Sequence, residues 1–532
     1  MEQNGTAESD NNVHTKIIII GAGMAGLSAA YHLTKNGVSE FKILEARGHI
    51  GGRIFQLPIG NEKIELGANW IHGVLGNPVY ELAMQHGLVD IMASPKPHKV
   101  VAATEQGKQV PFTTLHEIYE AYLCFLKRCE EYFISQYLPP EGIDSVGEHI
   151  KLEASLYLDK IKDSQERHLR ELLFECLLKR ETCISGCDDM SEIDLMEIGS
   201  YTELQGGNIV LPNGYSSILE PLRKVIPKDN LLLRHPVKLI KWNCNKKSGK
   251  DDSDSDDSDR TVIESPSSSR ESSCEKSFKH NVEVVCDNGK KFIGEHVICT
   301  LPLGVLKHNA NTIFQPSLPD YKLEAIDRLL FGTVDKILLE YERPFLHPSI
   351  TEVLLLWEPE TEKTVDISKN WYKKIYSFAK ITETLILGWI SGKEAEYMET
   401  LPNDIVIDTC TSILRKFLND PFIPKPKRCV CTSWHSQQYT RGSYTAIAVG
   451  ASQVDIEYLA QPLYLDDNET KPVLLFAGEH THSNFYSTVH GAYLSGRTAS
   501  QIIMNSEAPQ EIVVDCKDAT DLSSWIQGIC LE

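Results

Sequence analysis

The sequence predicts an α/β fold of two domains, at least one of them discontinuous, and three observations carry that reading. Ile17 to Ile20 is a run of four β-branched residues, which suits a strand covered on both faces. The run breaks on glycine into Gly21-Ala-Gly23-Met-Ala-Gly26, where the pattern opens a helix from about Met24 to Lys35. A second buried strand, Val473-Leu-Leu-Phe-Ala-Gly478-Glu479, stands near the other end of the chain. Elements of one nucleotide-binding unit therefore come from both ends.

The first motif has a physical reading. Gly21 gives the tight turn, and Gly23, lacking a side chain, lets a pyrophosphate approach the free N–H groups and positive end of the helix. Gly26 lets that helix lie close on the strand. A lone motif of this kind is weak evidence. Phe41-Lys-Ile-Leu-Glu45 adds a second strand ending in an acid 24 positions beyond Gly21, where a carboxylate would bond an adenosine ribose. Arg47-Gly-His-Ile-Gly-Gly52-Arg53 follows, a loop whose glycines permit close backbone approach and whose arginines neutralise phosphate.

Composition narrows the function classes. The formal charge of −21 disfavours a nucleic-acid partner and steers a cationic substrate inward. Ile17 to Thr34 is uncharged, but its glycines and the acidic residues before it point to strand plus helix rather than a signal or membrane segment. The fourteen cysteines include no CxxC pair and no Cys/His grouping at zinc spacing, so reduced thiols are expected and no metal site. Cys530-Leu-Glu532 is no SKL-type ending. A cytoplasmic protein, with the nucleus also open, is the resulting expectation.

In chain order, residues 1–15 read as a disordered polar terminus, and Lys63 to Gly73 as a short strand running into a turn. Helical spacing over 114–136 and 147–180 predicts an inserted helical subdomain. Leu231 to Trp242, Val282 to Val285 and Glu295 to Pro302 read as strands. Between them, residues 246–280 are an acidic, serine-rich stretch with little to bury, expected to be a disordered loop. Thr333 to Tyr341 and Thr384 to Ile390 predict strands of a second sheet, and 403–418 a helix. Ser487-Thr-Val489 leads into a small-residue helix opening at His490.

Taken together, Gly21 to Gly26, Glu45 to Arg53, Leu66-Gly-Ala-Asn-Trp-Ile-His-Gly73 and Phe476-Ala-Gly-Glu-His-Thr-His482 with Ser487 to Gly491 resemble the flavin amine oxidases, most closely the polyamine oxidase group. The resemblance covers about residues 15 to 505, excepting 246–280. It implies a two-domain fold. A Rossmann-type FAD-binding domain would comprise 16–68, 205–300 and 428–505, and a mixed sheet-plus-helices substrate domain 69–204 and 301–427, with 506–532 as a tail. It implies that Gly21, Gly23, Ala25, Gly26, Glu45, Arg47, Gly52 and Arg53 hold FAD, with Val237 at adenine, Glu479 at the ribityl chain, and Asn69 and Trp70 at the isoalloxazine edge. Thr488 and Val489 would offer backbone N–H groups to the flavin N1/O2 side, where a helix N-terminus stabilises the negative charge of the reduced ring. No cysteine occurs from Arg441 to Gly450, so FAD is expected to be noncovalent.

Lys336, on residues alone, reads as a solvent-facing strand lysine; the resemblance makes it the lysine that reaches flavin N5 through a water. His72, in Trp70-Ile-His72-Gly73, sits where the polyamine oxidases carry histidine and the related histone demethylases lack it. Tyr444 reads equally as a core tyrosine or as an aromatic wall for an alkyl amine, and Ser487 is placed beside the substrate. Ser200 stands where mammalian relatives carry a glutamate that binds a substrate ammonium, which puts polyamine specificity in question. The implied chemistry is oxidation of a polyamine C–N bond by O2, giving an aldehyde, a shorter amine and hydrogen peroxide. An oxidase of another amine, a histone demethylase-like flavoenzyme and an inactive flavin-binding scaffold stay open.

Overall fold

In the computed structural model, the structure describes residues 12–59, 62–90, 98–243, 281–359, 366–465 and 471–507. Ile17–Ile20 is the third of four central parallel strands in a six-stranded sheet. The order is Leu463–Tyr464, Pro472–Phe476, His296–Cys299, Ile17–Ile20, Phe41–Glu45 and Leu231–Leu233, and only the first pair is antiparallel. Because successive strand side chains point to opposite faces, Ile17 and Ile19 enter one apolar core and Ile18 and Ile20 another. That is why four consecutive isoleucines are all buried. The helices Met24–Lys35 and Val489–Glu507 cover one face, joined by a hydrogen bond from Ser28 Oγ to Tyr493 O at 2.6 Å. Chain segments almost 500 residues apart therefore build one unit, as the two end motifs require.

A five-stranded sheet packs on the other face. It contains Val237–Lys241 and Val282–Cys286 as antiparallel neighbours, with Lys241 opposite Glu283. Asn12–His14 is its edge strand, parallel to Lys291–Gly294; the expectation that 1–15 is wholly disordered thus fails at 12–14. Polar composition masked a strand paired through its backbone, with Val13 packed against the core. The acidic stretch 246–280 and the expected tail 506–532 lie outside the described residues, except 506 and 507.

The second large sheet is mixed: Arg428–Cys431, Val334–Glu340, Leu385–Ser391, Ser377–Thr382, Glu352–Leu356, Val100–Thr104. Helices Phe112–Ser135, Val146–Leu158 and Ser164–Ser185 pack on one face and Asn403–Phe417 on the other. Two expected boundaries move. Arg428–Cys431 belongs to this sheet rather than to the nucleotide-binding unit. Helices Leu303–Ile313 and Asp320–Arg328, expected in the substrate domain, bury Leu306 and Ile326 in the core beneath Ile18 and Val297. The stretch 147–180, expected to be helical, folds as two helices, because residues 159–163 turn and Asp163 caps the second by accepting from Gln165 N and Glu166 N.

Candidate active site

A cavity of about 1220 Å³ runs from the turn after Ile17–Ile20 to the helical layer. That exceeds the roughly 300–1,000 Å³ of a site for one small molecule, so a long cofactor and a substrate both fit.

Gly21, Gly23 and Ala25 line one end, with Glu45, Arg47, Gly52 and Val237 around them. The helix Met24–Lys35 starts at Gly23 with no side-chain cap and no acid in its first turn. Its N–H groups and positive end are thus left for an anion. A Cβ on Gly23 would meet nothing within 4 Å, whereas one on Gly26 would stand 2.0 Å from Gly21 O. Gly26 is therefore packed beneath the turn and outside the cavity wall. The Glu45 carboxylate accepts from Ala22 N and Arg47 N, each at 2.8 Å, which pins it in the wall.

Midway, Arg53 Nη1 donates to Glu479 Oε1 at 2.9 Å and to Ser443 O at 2.7 Å. Burial works to raise the Glu479 carboxyl, but the Arg53 guanidinium and surrounding donors outweigh it and hold it below its ordinary value. Glu479 also accepts from Ser487 N at 3.0 Å. Ser487 has a left-handed φ of 68°, held by that bond and by its hydroxyl donating to Thr445 O at 2.6 Å. The strained turn presents Thr488 and Val489 to the cavity at the start of Val489–Glu507, whose first turn carries no acid.

Lys336 reaches the cavity from the middle of Val334–Glu340 and is 3% exposed, so the solvent-facing reading does not hold. Its Nζ donates to Glu65 O at 2.9 Å, Gly67 O at 2.6 Å and Asn69 Oδ1 at 2.9 Å, and lies 5.1 Å from the Trp389 ring centroid. The segment 65–69 can hold it because Gly67 has no Cβ; one would stand 1.7 Å from Arg53 O. Burial pulls the Lys336 ammonium down to about 7, against a smaller opposing effect of Glu65. Both forms are populated near neutrality, and the neutral amine gains an acceptor lone pair. Trp70 stacks on Trp389 with ring centroids 6.2 Å apart, beside Asn69.

The far end holds His72, Tyr444, Tyr201 and three carboxylates, Glu130, Glu181 and Glu203. The His72 Nδ1 lies 3.0 Å from Asn208 Oδ1, and burial lowers its pKa despite Asn208 and Glu203. Burial, with Glu130 adding to it and Arg180 opposing, raises Glu181 to about 7. Glu130 is raised by burial and then by Glu203, so the three carboxylates share one electrostatic neighbourhood. Glu130 and Glu181 carry no motif; only the packing of two helices brings them together, and no local sequence signal could have found them.

One expected substrate residue is misplaced. Ser200 is 2% exposed and absent from the cavity wall, its hydroxyl 3.5 Å from that of Tyr486. The short turn Ile198–Ser200 points it inward, while Gly199, Tyr201 and Glu203 face the cavity. All the other residues expected at cofactor or substrate, Gly26 apart, line this cavity.

Residues 24–269 and 269–504 match the family described as flavin containing amine oxidoreductase. The chain belongs to this family. The peroxisomal N(1)-acetyl-spermine/spermidine oxidases of Bos taurus and Homo sapiens are 33% and 32% identical to it, over 93% of this chain and 96% of each relative. A possible lysine-specific histone demethylase 1 of Drosophila melanogaster is 27% identical over 92% of this chain but only 63% of its own length. This amine oxidase is accordingly a flavoenzyme whose cofactor is FAD. The open space over Gly23, the uncapped helix and the Arg53–Glu479 pair fit an elongated anionic dinucleotide ending near Lys336.

Proposed function

We propose that this amine oxidase acts on polyamines, with spermine and its acetylated relatives as leading substrates, cleaving a C–N bond with O2 to an aldehyde, a shorter amine and hydrogen peroxide. The observation that carries the reading is the layout of the cavity, whose dinucleotide cradle continues past a buried lysine to a mouth bearing Glu130, Glu181 and Glu203. A flexible polycation fits such a mouth, because carboxylates there form charge-assisted bonds to ammonium groups while Tyr201 and Tyr444 contact the alkyl segments. The names of the bovine and human relatives support the same substrate class.

When bound, FAD supplies two-electron acceptance from the amine carbon and return of those electrons to dioxygen. The protein's part is holding, orienting and proton handling. Glu45 takes the ribose, Arg47 and Arg53 the phosphates, and Val489 with Thr488 the negatively polarised edge of the ring. Lys336, poised near pH 7, holds or releases a proton at Nζ beside the reacting centre. His72, whose pKa burial lowers, stands at the substrate end as a hydrogen-bond acceptor that orients the substrate nitrogen. Among the described residues Cys183 is the cavity's cysteine, and its carbonyl is bonded by Tyr444 at the substrate end. FAD is held without a covalent link in this reading.

Peroxide release measured over a panel of spermine, N-acetylspermine, spermidine, monoamines and a methylated lysine peptide tests the substrate class. Polyamines should give the highest kcat/KM. Preference for monoamines or for the peptide would overturn the assignment.

A further inference from the structure

Cys429 and Cys431 alternate with Val430 on the edge strand Arg428–Cys431, so their side chains leave the same face. Their sulfurs are 3.7 Å apart. Cys429 is buried, and Cys431 is half-buried in a second cavity of about 250 Å³. Arg47, Leu66 and Trp434 line both this cavity and the large one. Cys431 is thus one layer of side chains from the cavity in which the proposed reaction releases hydrogen peroxide.

We propose that Cys429 and Cys431 are a reversible dithiol–disulfide site oxidised by hydroperoxide, and that closing the bridge slows the enzyme. The source of oxidant rests on the proposed oxidase reading; the chemistry of the pair does not. The thiolate of the pair attacks one peroxide oxygen, the O–O bond breaks, and a cysteine sulfenic acid and hydroxide form. The other thiol then attacks that sulfur and expels the sulfenic oxygen as water, so two thiols are oxidised as one hydroperoxide is reduced. A hydrogen bond between the two sulfurs, either of which can donate, favours a single thiolate in the pair; it holds the Cys429 thiol below its ordinary value and, with burial, pushes the Cys431 thiol up. Arg47 in the cavity wall adds positive charge. Positions i and i+2 of a strand are roughly 6.4–6.8 Å apart, at the wide end of disulfide geometry. A bridge there is strained and easily reduced, as a switch requires.

The coupling to turnover is through Thr432. Its N–H donates to Lys336 O at 3.0 Å, and its hydroxyl accepts from Lys336 N at 2.8 Å. Drawing Cys431 toward Cys429 pulls on the residue that seats Lys336.

The test treats full-length FAD-loaded enzyme with added hydrogen peroxide and maps its peptides by mass, with the exposed Cys124 as an internal control. The peptide holding both cysteines should lose the mass of two hydrogen atoms. Turnover should fall by about ten- to a hundredfold, and dithiothreitol should reverse both. Cys431→Ser should turn over like the wild type and resist reversible inactivation, whereas Cys429→Ser should carry added oxygen on Cys431. Unmodified cysteines, irreversible oxidation of Cys431 without a bridge, or equal reversible inactivation of Cys431→Ser would each overturn the proposal. Because the peroxide is added and the mass readout needs no amine, a wrong substrate assignment leaves this result standing.

Discussion

Lys336 shows how one residue's surroundings set its chemistry. Three acceptors match the three donors of its ammonium, yet burial removes the water that would otherwise favour the charge, and the balance lies at about pH 7. The amine form, needed to accept a proton, is scarce below that pH and dominant above it. Flavin-dependent turnover should therefore rise as pH increases through about 7. In Lys336→Met that limb should disappear and turnover should drop by the 10²- to 10⁴-fold typical of a lost acid–base group, about 3–5 kcal/mol. Retained FAD and an unaltered fold should accompany the loss, checked by absorbance and circular dichroism. A wild-type pH profile and rate in the variant would remove Lys336 from the mechanism.

At the scale of elements, the glycine turn, its helix and the strand ending in Glu45 were legible because each is specified locally, by β-branched runs, glycine spacing and helical periodicity. Met24–Lys35 falls where the pattern places it. What stayed hidden depends on orientation within irregular segments. The turn Ile198–Ser200 has no periodicity from which to decide which side chain faces the cavity, and Ser200 turned out to face Tyr486. This reverses the consequence of changing it. Ser200→Glu would force a carboxylate into a closed site beside the Tyr486 hydroxyl, at a cost on the order of several kcal/mol. The expected result is a lower thermal midpoint with the spermine to N-acetylspermine ratio of kcat/KM unchanged. A ratio that shifts toward spermine in a stably folded variant would place position 200 back at the substrate.

For the whole molecule, discontinuity was readable because nucleotide-binding elements sit at both chain ends, but domain boundaries were not. Edge strands such as Arg428–Cys431 and helices such as Leu303–Ile313 are assigned by what they pack on, and neither carries a marker of its sheet. The carboxylates at the cavity mouth have the same origin: Glu130 and Glu181 meet only because the helices Phe112–Ser135 and Ser164–Ser185 pack together. With a net charge of −21 around them, they make the mouth a receptor for a polycation next to an FAD cradle. The most direct test of that account is rapid anaerobic mixing of the FAD-loaded enzyme with spermine or N-acetylspermine, followed at the visible flavin band. The account predicts bleaching at least as fast as steady-state turnover and recovery of the band on admitting oxygen. A band unchanged by either polyamine in protein that retains its FAD would contradict it.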